Sequence, residues 1–127
     1  LHYPLRRQRQ MCIRDSESSI HVSSISQKNN AIIATGFPVY SKFDDKSLLN
    51  FIVNLQSFKK VRLLGSAALS LCYLASGAVD AYKENNIAFW DVAAGIALVT
   101  AAGGKVDYCF SDKKNNLLNV YATNGLI

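Results

Sequence analysis

Trp90-Asp91-Val92-Ala93-Ala94-Gly95-Ile96-Ala97-Leu98-Val99-Thr100-Ala101-Ala102-Gly103-Gly104 is the stretch whose reading decides the fold. One carboxylate opens a run that is apolar on every side and that closes on a glycine pair. A helix of this kind belongs in a core, which fixes its first carboxylate against rigid structure. Gly103-Gly104 offers the left-handed stop that helix C-termini favour. Asp91 has two readings at this point. It is an N-cap that accepts a hydrogen bond from an early backbone N–H, or it is a metal ligand.

Outward from this helix, the chain alternates between strand-like and helix-like segments. Upstream, Ala31 to Thr35 reads as a buried strand stopped by Gly36 and Pro38. It has no obvious sheet partner, as if a first half were missing. Asp44 and Asp45 precede a helix over 46–58, where Leu48, Phe51, Ile52 and Leu55 follow helical spacing. A short strand over 61–64 turns at Gly65-Ser66 into a mostly buried helix over 67–76, ended by Gly77. Residues 79–84 alternate like a strand, Asn85-Asn86 reads as a turn, and the opening helix follows. Two more strands, 105–110 and 119–124, flank a polar turn over 111–116. The order β, α, β, α, β, α, β, β predicts an α/β architecture in layers, with helices packed on a sheet. Before it, Ile20, Val22 and Ile25 suggest a short extended segment.

The chain has 127 residues, half of them hydrophobic and 18% charged, so it is globular and fits one domain or a piece of one. The longest apolar run, Val92 to Ala102 around Thr100, is too short to cross a bilayer, and no membrane partner is expected. Arg6, Arg7, Arg9 and Arg14 against Asp15 place +3 of the net +5 in residues 1–16. That excess sits in one terminal run without aromatic interleaving, so no nucleic-acid partner is expected. Residues 1–16 read as a leader foreign to the fold, leaving 17–127 as the domain portion. Cys12, Cys72 and Cys109 form no CxxC pair; the latter two lie in apolar segments, and a reducing compartment is inferred. His2 and His21 lack ligand spacing, so a zinc site is not expected.

Three places could carry chemistry. Gly65-Ser66-Ala67-Ala68 follows a strand and opens a helix, a junction whose backbone N–H groups suit an anion or hydroxyl, although a glycine turn with a Ser cap is also ordinary packing. Glu84 precedes Asp91 by seven residues. The two carboxylates could share one cleft as an acid/base pair or hold a hard cation. Alternatively, Glu84 is a solvated strand-end charge. Asp80 is the nearest further carboxylate. No Ser-His-Asp set, GxxxxGK[ST] loop or GxGxxG loop is present.

These residues resemble the C-terminal half of the inositol monophosphatase family of magnesium-dependent phosphomonoesterases. The likeness rests on Val61-Arg62-Leu63-Leu64-Gly65-Ser66-Ala67-Ala68-Leu69, on Gly77-Ala78-Val79-Asp80-Ala81-Tyr82-Lys83-Glu84, and on Trp90-Asp91-Val92-Ala93-Ala94-Gly95 with Ala101-Ala102-Gly103-Gly104. Ala34 to Pro38 and Val120 to Asn124 also fit. The resemblance implies a layered α-β sandwich of the sugar-phosphatase type with a mixed sheet, represented by its C-terminal portion. It implies that Asp91 ligates Mg2+, that Glu84 hydrogen-bonds a hydroxyl of the leaving alcohol, and that Gly65, Ser66 and Ala67 contact the same part of the substrate. It further implies a small phosphorylated substrate, a cytoplasmic location and a homodimeric parent. Inositol phosphate is the first substrate expected; 3′,5′-bisphosphate nucleotides, fructose 1,6-bisphosphate and histidinol phosphate are the runners-up. Ser70 stands where relatives often carry Asp or Asn, and Asn86-Ile87-Ala88-Phe89 replaces a more usual Gly-containing approach to the Trp. The family's N-terminal metal-binding segments are not found in this sequence, so catalytic residues beyond Asp91 stay unassigned and the chain alone is expected to be inactive. The rival of another class is a non-catalytic α/β binding or interaction module, in which Asp91 only caps its helix.

Overall fold

Residues 19–37 and 44–127 are described by the computed structural model of the chain. After a 3-10 turn at Lys28–Asn30 come β1 (Ile32–Thr35), α1 (Asp45–Gln56), β2 (Lys60–Leu63), α2 (Ala67–Ala75), β3 (Ala81–Ala88), α3 (Phe89–Ala101), β4 (Lys105–Asp112) and β5 (Leu117–Thr123). The strands form one mixed sheet in the order β2-β1-β3-β5-β4. β1 pairs in parallel with both β2 and β3, while β5 runs antiparallel to β3 and β4. β1 therefore has a partner on each side, correcting the expectation of an unpartnered first strand. Both partners arrive later in the chain through helical crossovers, so local sequence does not reveal them.

Strand alternation sends side chains to two faces. Ala34, Tyr82, Leu118, Val120 and Ala122 meet Leu71, Leu74, Val92 and Val99 from α2 and α3 in the main core. Ile33 and Ala81 meet Phe58 on the opposite face, with Leu55 of α1 against them. Each fully buried Leu or Val contributes about 1.5–3 kcal/mol. The architecture is thus helix, sheet, helix. The outer helix is lightly docked: no residue of α1 is buried, and Leu48 and Ile52 of its apolar stripe are exposed.

The deciding helix α3 differs from its reading in one respect. Only Val92, Gly95 and Val99 are buried along it, and Trp90 is 68% exposed, so the all-apolar run has one covered face rather than a full core environment. Gly95 explains how that face sits so close to α2. A Cβ added there would lie 2.5 Å from Leu71 Cδ1 and 2.6 Å from Leu71 Cβ, contacts too short for any side chain. Gly103, at φ +88°, supplies the predicted left-handed stop, and Gly104 N donates to Val99 O at 2.9 Å. Cys72 and Cys109 lie in apolar segments of the sequence, yet both are exposed. Cys72 lies on the outward side of α2 and Cys109 on edge strand β4. Cys12, His2 and the leader reading of residues 1–16 lie outside the described residues.

The extended segment around Val22 and Ile25 joins no strand of the sheet. Val22 N donates to Ala102 O, and Asn124 Nδ2 donates to Ile25 O at 2.7 Å. Asp80, considered as an extra acid/base candidate, is part of this fastening. Buried at the start of β3, it accepts hydrogen bonds from Ser23 Oγ and, at 2.6 Å, from Ile32 N. Both oxygens are engaged in joining chain segments, which gives Asp80 a structural role. No helix among the described residues is long and apolar enough to cross a membrane.

Candidate functional site

A cavity of about 480 Å3 opens at the C-terminal ends of β1, β2 and β3, the end of a parallel array where α/β sheets present loops and helix N-termini. β1 contributes Thr35, with Gly36 and Phe37 just beyond it; the β2–α2 turn contributes Gly65 to Ala68, with Ser70 one turn on. β3 contributes Glu84 and Ile87, and α3 contributes Asp91. Gly65, Ser66, Ala67, Glu84 and Asp91, the five residues singled out from sequence, all line this one cavity.

The β2–α2 corner is built by local chemistry. Gly65 has φ +67° with nothing within 4 Å of an added Cβ, so the backbone angle rather than crowding favours glycine. Ser66 is the N-cap, its Oγ accepting from Leu69 N at 3.2 Å. The amides of Ala67 and Ala68, ahead of Leu69 in the first turn, belong to the group that a helix leaves without intrahelical partners. Ser70 is buried, and its Oγ donates to Ser66 O at 2.7 Å, bracing the turn.

A bulge brings β3 and α3 to the same place. The register passes from Glu84↔Val120 to Ile87↔Leu118, three residues on one strand against two on the other. In a regular strand, Glu84 and Ile87 would face opposite sides; the extra residue turns both to the cavity. Asn86 takes φ 54°, and its N–H donates to Asn119 Oδ1 at 3.1 Å. Asn85-Asn86 is therefore an interruption inside β3 rather than the turn read from sequence, and Glu84 lies within the strand rather than at its end.

Glu84 is part-buried and accepts a 2.8 Å hydrogen bond from Tyr82 Oη through Oε2. Burial pushes its carboxyl above the ordinary range; the Tyr82 bond opposes that rise and the Asp91 charge adds to it. Burial raises the Tyr82 hydroxyl well above its ordinary value, followed by the Glu84 charge and hydrogen bond and then Asp91. The two carboxylates thus act within one electrostatic site.

Asp91 is exposed in the first turn of α3 and is not the N-cap. That position belongs to Ala88, which makes no side-chain cap. β3 runs straight into α3, and Phe89 N is satisfied by Asn116 O at 2.9 Å, so backbone from the β4–β5 turn does the capping. Among the described residues no hydrogen bond or ion pair engages the Asp91 carboxylate.

Among the described residues the cavity lining holds two carboxylates and no Lys, Arg or His. An anionic group entering it needs a counter-charge, which a divalent cation supplies. The hard oxygen donor of Asp91 fits magnesium, which keeps several waters and takes one or two carboxylates together with substrate oxygens. Among the described residues no group of three His, Cys, Asp or Glu could hold a metal.

Sequence reasoning passed over Thr35, Gly36, Phe37, Ser70, Ile87 and Tyr82 as parts of the site. Gly36, directly after a buried strand, and Tyr82, two residues before Glu84 on the same strand face, carried a readable signal. Phe37 did not, because its place depends on a tilted ring contact with Phe51 of α1, 5.5 Å between centroids.

Comparison with known proteins gives a consistent likeness. The model described as the inositol monophosphatase family matches residues 4–125. An inositol-1-monophosphatase of Caulobacter vibrioides is 35% identical over 92 residues, covering 72% of this chain and 36% of that protein. A Nus factor SuhB of Xylella fastidiosa is 39% identical over 92 residues, covering 72% of this chain and 34% of that one. The structure of inositol monophosphatase from Anabaena (Nostoc) sp. superposes with a TM-score of 0.74 at 35% identity, covering 88% of this chain and 47% of that one. The chain spans about a third of the length of these two sequence relatives.

Proposed function

The chain belongs to the inositol monophosphatase family, and from that premise we propose that the full-length protein carrying it is a magnesium-dependent phosphomonoesterase acting on an inositol phosphate or a related sugar phosphate. The observation that carries the proposal is the convergence of Glu84, Asp91 and the α2 N-terminus on one cavity, whose described lining residues include no basic side chain. Asp91 offers a divalent cation a carboxylate that no hydrogen bond or ion pair engages among the described residues. Glu84, held by Tyr82, accepts a hydrogen bond from a hydroxyl of the leaving alcohol. The Gly65–Ala67 turn presents backbone to the same alcohol, and the amides of Ala67 and Ala68 donate to its oxygens. When bound, magnesium supplies charge neutralisation at the phosphate and a more acidic water.

The rest of the metal shell and the group that activates water are proposed to lie in the remainder of the parent. Residues 17–127 are then the C-terminal part of the catalytic domain, and the 127-residue chain alone is inactive. The family match, running from residue 4, does not separate this portion from the leader proposed for residues 1–16. A cytoplasmic location and a homodimeric parent complete the proposal. The test is phosphate release by the full-length protein, with and without magnesium, from inositol 1-phosphate, a nucleoside 3′,5′-bisphosphate, fructose 1,6-bisphosphate and histidinol phosphate. Fastest magnesium-dependent turnover of inositol 1-phosphate supports the reading. Preference for another ester moves the assignment within the superfamily, and hydrolysis of none refutes it.

Relatives named Nus factor SuhB favour a second reading, in which the parent shares that role. A transcription function that persists when Asp91 is replaced by Asn would support it.

A further inference from the structure

Glu84 is the side chain proposed above to meet a hydroxyl of the leaving alcohol, and its carboxylate is held from two sides. Tyr82, wholly buried beneath the cavity, donates its hydroxyl to Oε2 at 2.8 Å. On the other side stands Gly36, where an added Cβ would lie 2.6 Å from Cδ, Oε1 and Oε2 alike. The backbone at Gly36, just beyond β1, thus leaves space for the carboxyl group where a side chain would fill it, and the phenol fixes one of its oxygens. Oε1 has no protein partner among the described residues, so it is the oxygen available to a ligand.

Building on the proposed phosphatase reading, we infer that Tyr82 is a positioning residue and Gly36 a space-making one, together setting Glu84 to recognise a hydroxyl of the leaving alcohol. Tyr82 touches no substrate in this arrangement; it acts through Glu84. The pair selects polyol phosphates over esters whose leaving group carries no further hydroxyl. A carboxylate free to rotate would lose part of this selectivity, because a hydrogen bond discriminates only when its partner is pre-placed.

The experiment uses the full-length protein with magnesium and two esters, inositol 1-phosphate and p-nitrophenyl phosphate. Tyr82→Phe is expected to raise KM for inositol 1-phosphate about tenfold with kcat changed less than about twofold, while KM for the aryl ester moves less than about twofold. Gly36→Ala, which displaces the carboxyl from the other side, is expected to give the same selective loss, and Glu84→Gln sets its scale. Equal losses on both esters, or an unchanged KM for inositol 1-phosphate in Tyr82→Phe, overturn the inference. A separate measurement needs no turnover: the hydrogen-bonded phenolic proton of Tyr82 is expected as a downfield, slowly exchanging proton NMR signal, absent in Tyr82→Phe and shifted upfield in Glu84→Gln. A signal indifferent to Glu84→Gln overturns the coupling even if neither ester is cleaved, whereas failure of the wild type to cleave either ester counts against the phosphatase reading. Should Tyr82→Phe fail to fold, Gly36→Ala and the Glu84→Gln spectrum decide.

Discussion

Replacing Gly95 by Ala tests how the two halves of the site are held together. Helices α2 and α3 bring the Ser66 turn and Asp91 to one cavity, and at Gly95 the α3 backbone lies directly against Leu71 of α2. An alanine methyl would sit 2.5, 2.6 and 3.1 Å from Cδ1, Cβ and Cγ of Leu71. Apolar carbons settle about 3.5–4.0 Å apart, so a gap of about 1 Å must open. Leu71 is fully buried, and its Cβ is fixed to the α2 backbone, so rotation of its side chain relieves Cδ1 but not Cβ. Overpacking of this kind costs about 1–3 kcal/mol. Ala in place of Gly in a helix offsets about 1 kcal/mol. Because a rigid Cβ is involved, the overpacking cost falls in the upper part of that range, about 2–3 kcal/mol, and the net expectation is about 1–2 kcal/mol of destabilisation, read by urea unfolding of wild type and variant side by side. Leu71→Ala alone should cost about 2–5 kcal/mol. Adding Gly95→Ala to it should be less costly than adding it to wild type, by about 1 kcal/mol or more. A Gly95→Ala variant as stable as wild type, or more so, would refute the claim that helix contact requires glycine here.

Two further expectations follow from the carboxylates. Asp80→Asn should destabilise by about 2–4 kcal/mol in urea unfolding, since an amide cannot accept from both Ile32 N and Ser23 Oγ as the carboxylate does; an unchanged midpoint would deny the fastening role. Glu84 titrates above its ordinary value chiefly through burial, so the folded state binds its proton more tightly than the unfolded chain does. Stability contributed at this position therefore falls as pH rises from the unfolded value through the raised folded one, and the deficit is complete above both. Glu84→Gln should accordingly be more stable than wild type at pH 7, with its advantage shrinking toward pH 4; an advantage constant with pH would contradict the assigned cause.

Most of the fold was legible because its signals are local. The buried strand before Gly36, the Gly65-Ser66 junction and the Gly103 stop each carry their own chemistry, and the predicted alternation of elements matches the observed order. What escaped was non-local. The pairing of β1 with β2 and β3 is made by crossovers, and the capping of α3 by Asn116 comes from a turn more than twenty residues downstream. The bulge at Asn85-Asn86 looked like a turn because Asn tolerates positive φ in either setting. Asp80 and Glu84 were two carboxylates of one strand-like segment in sequence; only the sheet separates a buried fastener at one end from a cavity residue four positions on. The exposed side of α3 was unreadable for another reason: an all-apolar helix does not say which of its faces is covered within this chain.

The central claim is that the Asp91 carboxylate holds a catalytic divalent cation rather than serving its helix alone. Magnesium-dependent phosphate release from inositol 1-phosphate, measured for the full-length protein and its Asp91→Asn variant, tests it most directly. Asn keeps the shape of the first turn of α3 and removes the charge. The account predicts a loss of about a hundredfold or more with little change in unfolding stability. Activity within about twofold of wild type, with the same magnesium dependence, would contradict it and leave Asp91 as an exposed residue of the first helical turn.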